Sequence, residues 1–182
     1  MFPSGYTKYA SSCKEKGENP NVLLARYATR YKMAGQLNGI QLLAHSESAE
    51  VLYLHAIRIS FAYSALESLE KYLKMKVSLK NIELASDLRR GFLKANKFLL
   101  SQSDTKLRNS LESFLGSKND SDLKPFVVAL RHSMFHGQFN PSASGLNSVS
   151  GIALLNEIEK LLFTSMDKTS CPVFIDLCRL DS

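Results

Sequence analysis

Residues 47–76, ESAEVLYLHAIRISFAYSALESLEKYLKMK, hold no Gly and no Pro. Leu54, Ile57, Phe61, Ala65, Leu69 and Leu73 recur every three or four positions and draw one continuous apolar stripe. That period is the mark of a helix with one side turned to a core. Ser46 stands where an N-cap belongs, and Glu47 and Glu50 fall in the first turn, where the helix dipole favours acids. A helix of this length is the backbone of a bundle. Its most apolar part, Val51 to Leu66, is interrupted by His55 and Arg58, so it reads as a buried helix and not as a membrane span.

On either side the pattern stays helical. A helix begins near Asn21, with Leu24, Tyr27, Ala28 and Tyr31 at helical spacing; Gly35 and Gly39 weaken its middle and predict a bend. The preceding stretch, residues 1–20, reads as a flexible tail. It lacks the apolar run of a signal peptide, and a cytoplasmic protein is expected. Downstream, helices are expected over 84–100, with Leu88, Phe92 and Leu99 inward, and over 106–115, closed by Gly116. After the loop GSKNDSD, Asp120 or Asp122 caps a fifth helix. Pro125 is tolerated in its first turn, Phe126, Val127, Leu130 and Met134 form its stripe, and Gly137 ends it. A sixth helix carries Ile152, Leu155, Ile158, Leu162 and Phe163, and a separate short helix starts at Pro172. No segment alternates with the period of two that strands need. The expected fold is all-α: a compact bundle of four main helices with short additional ones, in a single domain over residues 21–182.

With 182 residues, 45% apolar and 22% charged, the chain is long enough for one domain with a real core. The net charge of +6 is unevenly spread: between Lys71 and Arg108 ten basic residues face only three acidic ones. Such a cluster draws polyanions, RNA above all, with Arg89, Arg90, Lys94 and Lys97 as candidate contacts. The plainer reading is a solvated lysine face. Cys13, Cys171 and Cys178 form no C-x-x-C pair. If the last two share a helix they stand about 10 Å apart, beyond the roughly 7 Å that a disulfide spans, and all three are expected as free thiols. Neither the Gly-rich phosphate loops nor the G-x-S-x-G elbow is present.

The residues that carry chemistry lie in ALRHSMFHGQFNP, Ala129 to Pro141, where Arg131, His132 and His136 crowd a helix end. Arg131, the polar His132, three further residues and His136, followed by Gly137, resemble the signature of the HEPN superfamily (higher eukaryotes and prokaryotes nucleotide-binding). The segment FAYSALESLEKYL also looks like that family's central helix. The resemblance implies a helical bundle. It further implies a metal-independent endoribonuclease without cofactors, working as a homodimer on RNA as a toxin or phage-defence effector, with an antitoxin or regulatory protein as a possible partner. It assigns Arg131, His136 and His132 to the catalytic site. The toxin subgroup controlled by a nucleotidyltransferase antitoxin carries Tyr two places after its His. Gln138 stands there, so modification of a tyrosine at that place is not open to this chain.

The residue types suit the chemistry. A 2′-hydroxyl attacking the adjacent phosphorus needs a base, an acid for the leaving 5′-oxygen, and positive charge for the phosphorane. An imidazole, titrating near ~6.5 when unperturbed, does either proton job, and a guanidinium offers fixed donors to phosphate oxygens. One catalytic His per chain is the reason to expect two copies at one site. On a regular helix Arg131 and His136 are about 140° apart, so a dimer or an unwound helix end is needed to unite them. Glu67, on the long helix, is a candidate orienting carboxylate.

Competing readings remain. Charged groups at a helix C-terminus stabilise its dipole by about 0.3–1 kcal/mol each. His132 and His136 have the spacing of zinc ligands, but Ser133 replaces the Glu of H-E-x-x-H. His55 reads as a satisfied core histidine, and Tyr63 and Tyr72 as packing. The alternative function is a non-catalytic helical module that binds RNA, a nucleotide or a protein partner.

Overall fold

The computed structural model describes residues 1–41, 46–79, 97–99, 105, 108–109, 111–112, 122–140, 144, 146 and 149–179. Among these run α1 (Tyr6–Glu15), α2 (Val22–Gln36), α3 (Glu47–Leu73), α4 (Lys124–Phe135) and α5 (Val149–Arg179). There is no strand among the described residues, and the fold is all-α. None of the described helices is long and apolar enough to cross a membrane.

Helix α3 is central and packs against α2, α4 and α5, while α1 packs on α5. Ser46 caps α3, its hydroxyl accepting from the Ala49 amide at 3.3 Å. Asn21 caps α2, its side-chain oxygen accepting from the Leu23 amide at 2.9 Å. The burial of α3 is broader than its apolar stripe. Ala65 and Leu69 are fully buried, but Leu54, Ile57, Phe61 and Leu73 are only half-buried. Leu52, Ala56, Ile59, Ala62 and Leu66 are fully buried as well. A helix with partners on several sides hides small and polar residues too, so Ser60, Ser68 and Glu70 are buried with them. The bend expected in the preceding helix is instead an end: α2 stops at Gln36, one residue after Gly35.

Two expectations are corrected at the termini. The first twenty residues are not a tail, because α1 lies within them. Tyr6, Tyr9 and Cys13 are buried on one side of it, and both tyrosine rings meet Phe174 of α5, with centroids 5.6 and 5.8 Å away. Nor does a separate helix begin at Pro172, since α5 runs through it. Proline lacks an N–H and costs a helix interior about 3 kcal/mol. Here the turns on both sides are held from outside: Tyr27 donates to the Ser170 hydroxyl at 2.9 Å, and Phe174 stacks on the Tyr27 ring at 6.3 Å.

Polar ties fix the remaining relations. Glu159 of α5 accepts from both His55 and Arg58 of α3, the His55 Nδ1 contact being 3.1 Å. Arg58 Nε also donates to the Ala34 carbonyl of α2 at 3.0 Å, so one cluster joins three helices. Tyr31 of α2 donates to Asp167 of α5 at 2.8 Å. Cys171 and Cys178 share α5 and, like Cys13, are free thiols. The helices expected over 84–100 and 106–115 lie largely outside the described residues; Lys97, Phe98 and Leu99 are described and helical.

Candidate functional site

The start of α4 is clamped to the end of α3. Asp122 caps it from one residue before the N-cap, Leu123, its carboxylate accepting from the Lys124 amide at 3.0 Å and the Leu79 amide at 3.2 Å. Asp120 lies outside the described residues. Buried Glu70, at the end of α3, accepts from the Val77 amide at 2.7 Å and from the Lys124 ammonium. Burial alone raises the Glu70 carboxyl, but these two donors and the nearby Lys76 outweigh it and hold the group below its ordinary value. Phe126, Val127 and Leu130 then bury one side of α4 completely.

The other end closes as a Schellman motif. The Gly137 amide returns to the Met134 carbonyl at 3.2 Å and the Gln138 amide to the Ser133 carbonyl at 2.9 Å. Gly137 has φ of +67°, the left-handed conformation such a stop requires and one that costs glycine least. Phe139 then turns inward. Its ring meets Tyr53 of α3 edge-on at 5.4 Å, and Tyr53 donates to its carbonyl at 3.1 Å. His136, the C-cap, is thus held between a helix and a pinned strap.

Between α3 and α4 lies an open cleft of about 360 Å³, lined by Tyr63, Glu67, Val128, Arg131, His132, Phe135 and His136. Arg131 donates to the Glu67 carboxylate at 2.6 Å, both side chains about one-third exposed. The guanidinium carbon also stands 5.9 Å from the Tyr63 ring and 5.9 Å from the Phe135 ring. The rings of His132 and His136 lie against each other, centroids 4.2 Å apart and tilted by 36°. The 140° between Arg131 and His136 therefore does not keep them off one cleft: His132, one step round from Arg131, carries His136 on its own face. Burial first, then the Glu67 and Glu70 carboxylates, push the Tyr63 hydroxyl up to about 12, against the opposing pull of Arg131. It stays protonated at neutral pH, a donor and not a base.

Four sequence candidates, Arg131, His132, His136 and Glu67, thus share one cleft. Lys97 is exposed and does not line it, and Arg89, Arg90 and Lys94 lie outside the described residues. Sequence reasoning took Tyr63 for packing and passed over Phe135. Their signals were positional, Tyr63 one turn before Glu67 and Phe135 one turn after Arg131. His55 is bound to Glu159, away from the cleft lining. Among the described residues, no group of three His, Cys, Asp or Glu side chains is placed to hold a metal ion. The Ser133 hydroxyl is buried without a hydrogen-bond partner among the described residues. No family model, curated protein or solved structure matches the chain.

Proposed function

We propose that the chain is a metal-independent endoribonuclease of the HEPN type. The observation that carries this reading is an open cleft in which one guanidinium and two imidazoles meet. Arg131 binds the scissile phosphate and neutralises the charge that builds on the phosphorane. His136 moves a proton, as base toward the 2′-hydroxyl or as acid toward the leaving 5′-oxygen. His132, packed on His136, orients it. Each copy does one proton transfer at a time, so a homodimer facing two such clefts toward each other supplies both. The bond from the 2′-oxygen to phosphorus forms as the bond to the 5′-oxygen breaks. The products are a 2′,3′-cyclic phosphate and a 5′-hydroxyl.

The test is cleavage of a purified single-stranded RNA in EDTA, with end-group analysis. Cyclic phosphate and 5′-hydroxyl ends are expected. His136→Ala and Arg131→Ala should each lose on the order of 10²-fold or more. A 5′-phosphate product, a requirement for Mg²⁺, or equal activity in His136→Ala would refute the mechanism.

One observation favours a second reading. Arg131 already has an anionic partner in Glu67 at 2.6 Å. That carboxylate competes with a phosphate for the guanidinium, which a helical module that keeps the fold without cutting tolerates. RNA binding without cleavage in wild type would select it.

A further inference from the structure

Phe135 is 69% exposed, although the other apolar residues of α4 are buried or half-buried. Single exposed apolar side chains are ordinary on protein surfaces. This one is placed with respect to the site: it lines the cleft, one turn beyond Arg131, with its ring 5.9 Å from the guanidinium carbon. Tyr63 flanks the same guanidinium at the same distance, but it is only 7% exposed and offers a ligand little face. Of the two aromatic rings beside the arginine, one belongs to the core and the other stands open to solvent.

Resting on the RNA reading of this cleft, we propose that Phe135 is the stacking platform for the unpaired nucleobase next to the phosphate that Arg131 holds. A phosphate and the base attached through its ribose are separated by about the spacing of a cationic group and a neighbouring ring on one helix face. The cleft is built in that way, cation first and aromatic one turn on. Its volume, about 360 Å³, lies at the low end of small-ligand sites, about 300–1,000 Å³, on the scale of one nucleotide. Stacking on a protein ring requires a base already out of its helix, so the inferred substrate is single-stranded or looped RNA at the cut. Every base has a π-face, so the ring selects for strandedness and not for base identity. Specificity of sequence, if the protein has any, arises elsewhere.

The experiment uses the full chain and a short single-stranded RNA carrying 2-aminopurine, whose fluorescence falls when it stacks. In the His136→Ala background, where the RNA stays intact, binding should quench the probe. Adding Phe135→Leu should abolish the quench and weaken binding about 10-fold, while Phe135→Trp should retain both. With His136 present, an RNA with an abasic site beside the scissile phosphate should be cut more slowly than the intact RNA by wild type, but no more slowly by Phe135→Leu. Equal quench and affinity in the Leu and Phe proteins would overturn the proposal. So would absence of RNA binding altogether. So would a Phe135→Leu protein that binds RNA normally but sediments as a smaller species than wild type, since the ring would then belong to contact with a second copy. Phe135-dependent quenching by a protein that never cuts RNA would instead sustain the platform and remove the nuclease reading.

Discussion

Glu67 decides what Arg131 is doing before any ligand arrives. The pair is bonded at 2.6 Å with both side chains about one-third exposed, so solvent screens it and its contribution to stability is about 0–1 kcal/mol. Its effect belongs to geometry: one bond from an α3 carboxylate fixes the direction of an α4 guanidinium. Glu67→Gln should leave the melting temperature nearly unchanged and, on the proposed ribonuclease reading, lower kcat for RNA cleavage on the order of 10-fold through misplacement of the clamp, with little change in KM. A faster enzyme would show that Glu67 restrains Arg131 instead of aiming it. Ser133 gives the opposite kind of test. Its hydroxyl is buried with no partner among the described residues, and an unsatisfied buried polar group costs about 1–3 kcal/mol. Ser133→Ala should therefore be neutral or stabilising by up to about 1 kcal/mol in thermal unfolding, and a clear loss of stability would reveal a partner for that hydroxyl. At this scale much of the cleft was legible. Arg131, His132 and His136 declare themselves by residue type and spacing. Tyr63 and Phe135 do not, because an aromatic at helical spacing reads as core whichever way the helix is turned, and only the packed structure says which ring is open.

The helices α3 and α4 were legible at the level of elements because their signals are local. Ser46 caps, Pro125 lies in a first turn, and Gly137 takes the left-handed stop. Helix α1 was missed for the converse reason. Ten residues with two lysines and two serines carry too little apolar surface to stand alone, and the surface that holds them, Phe174, is at the far end of the chain. The same contact explains the continuity of α5 beyond Pro172, which no local rule favours. Phe174 is fully buried among Tyr6, Tyr9 and Tyr27. Phe174→Ala should cost about 3–5 kcal/mol, and amide hydrogen exchange should rise first in α1 and in the last turns of α5. Exchange that rose evenly through the fold would mean that α1 is not held by this ring. A smaller change probes the same contact from its other side. Gly5 has φ of +83°, and a Cβ there would lie 2.8 Å from the Phe174 Cβ. Gly5→Ala thus meets left-handed strain and a clash together, and should cost about 1–3 kcal/mol by the first effect alone, read as a lower urea midpoint.

For the molecule as a whole, the polar groups buried between helices set how stability depends on pH. On the acid side the group is Glu70. Its folded carboxyl titrates below its ordinary 4.5, held there by Lys124 and the Val77 amide against the opposing effect of burial. The folded chain binds that proton less tightly than the unfolded chain, so the stabilisation is present above about pH 4.5 and is lost as pH falls through the folded value. On the alkaline side the groups are tyrosines. Burial, with nearby carboxylates, pushes Tyr63 up to about 12, and Tyr27 and Tyr31 are raised as well, mainly by burial. Here the folded chain holds the proton more tightly, so stability is full below the ordinary value of 10.0 and falls as pH rises above it. Urea midpoints followed by circular dichroism should therefore drop below pH 4.5 and again above pH 10. Glu70→Gln should lower the midpoint at neutral pH and flatten the acid limb, while the alkaline limb changes only through Glu70's lesser contribution to Tyr63. Tyr27→Phe should do the reverse, lowering the plateau by loss of its bond to Ser170 and making the descent above pH 10 shallower. An acid limb as steep in Glu70→Gln as in wild type would move the acid sensitivity from the clamp beneath α4 to other carboxylates.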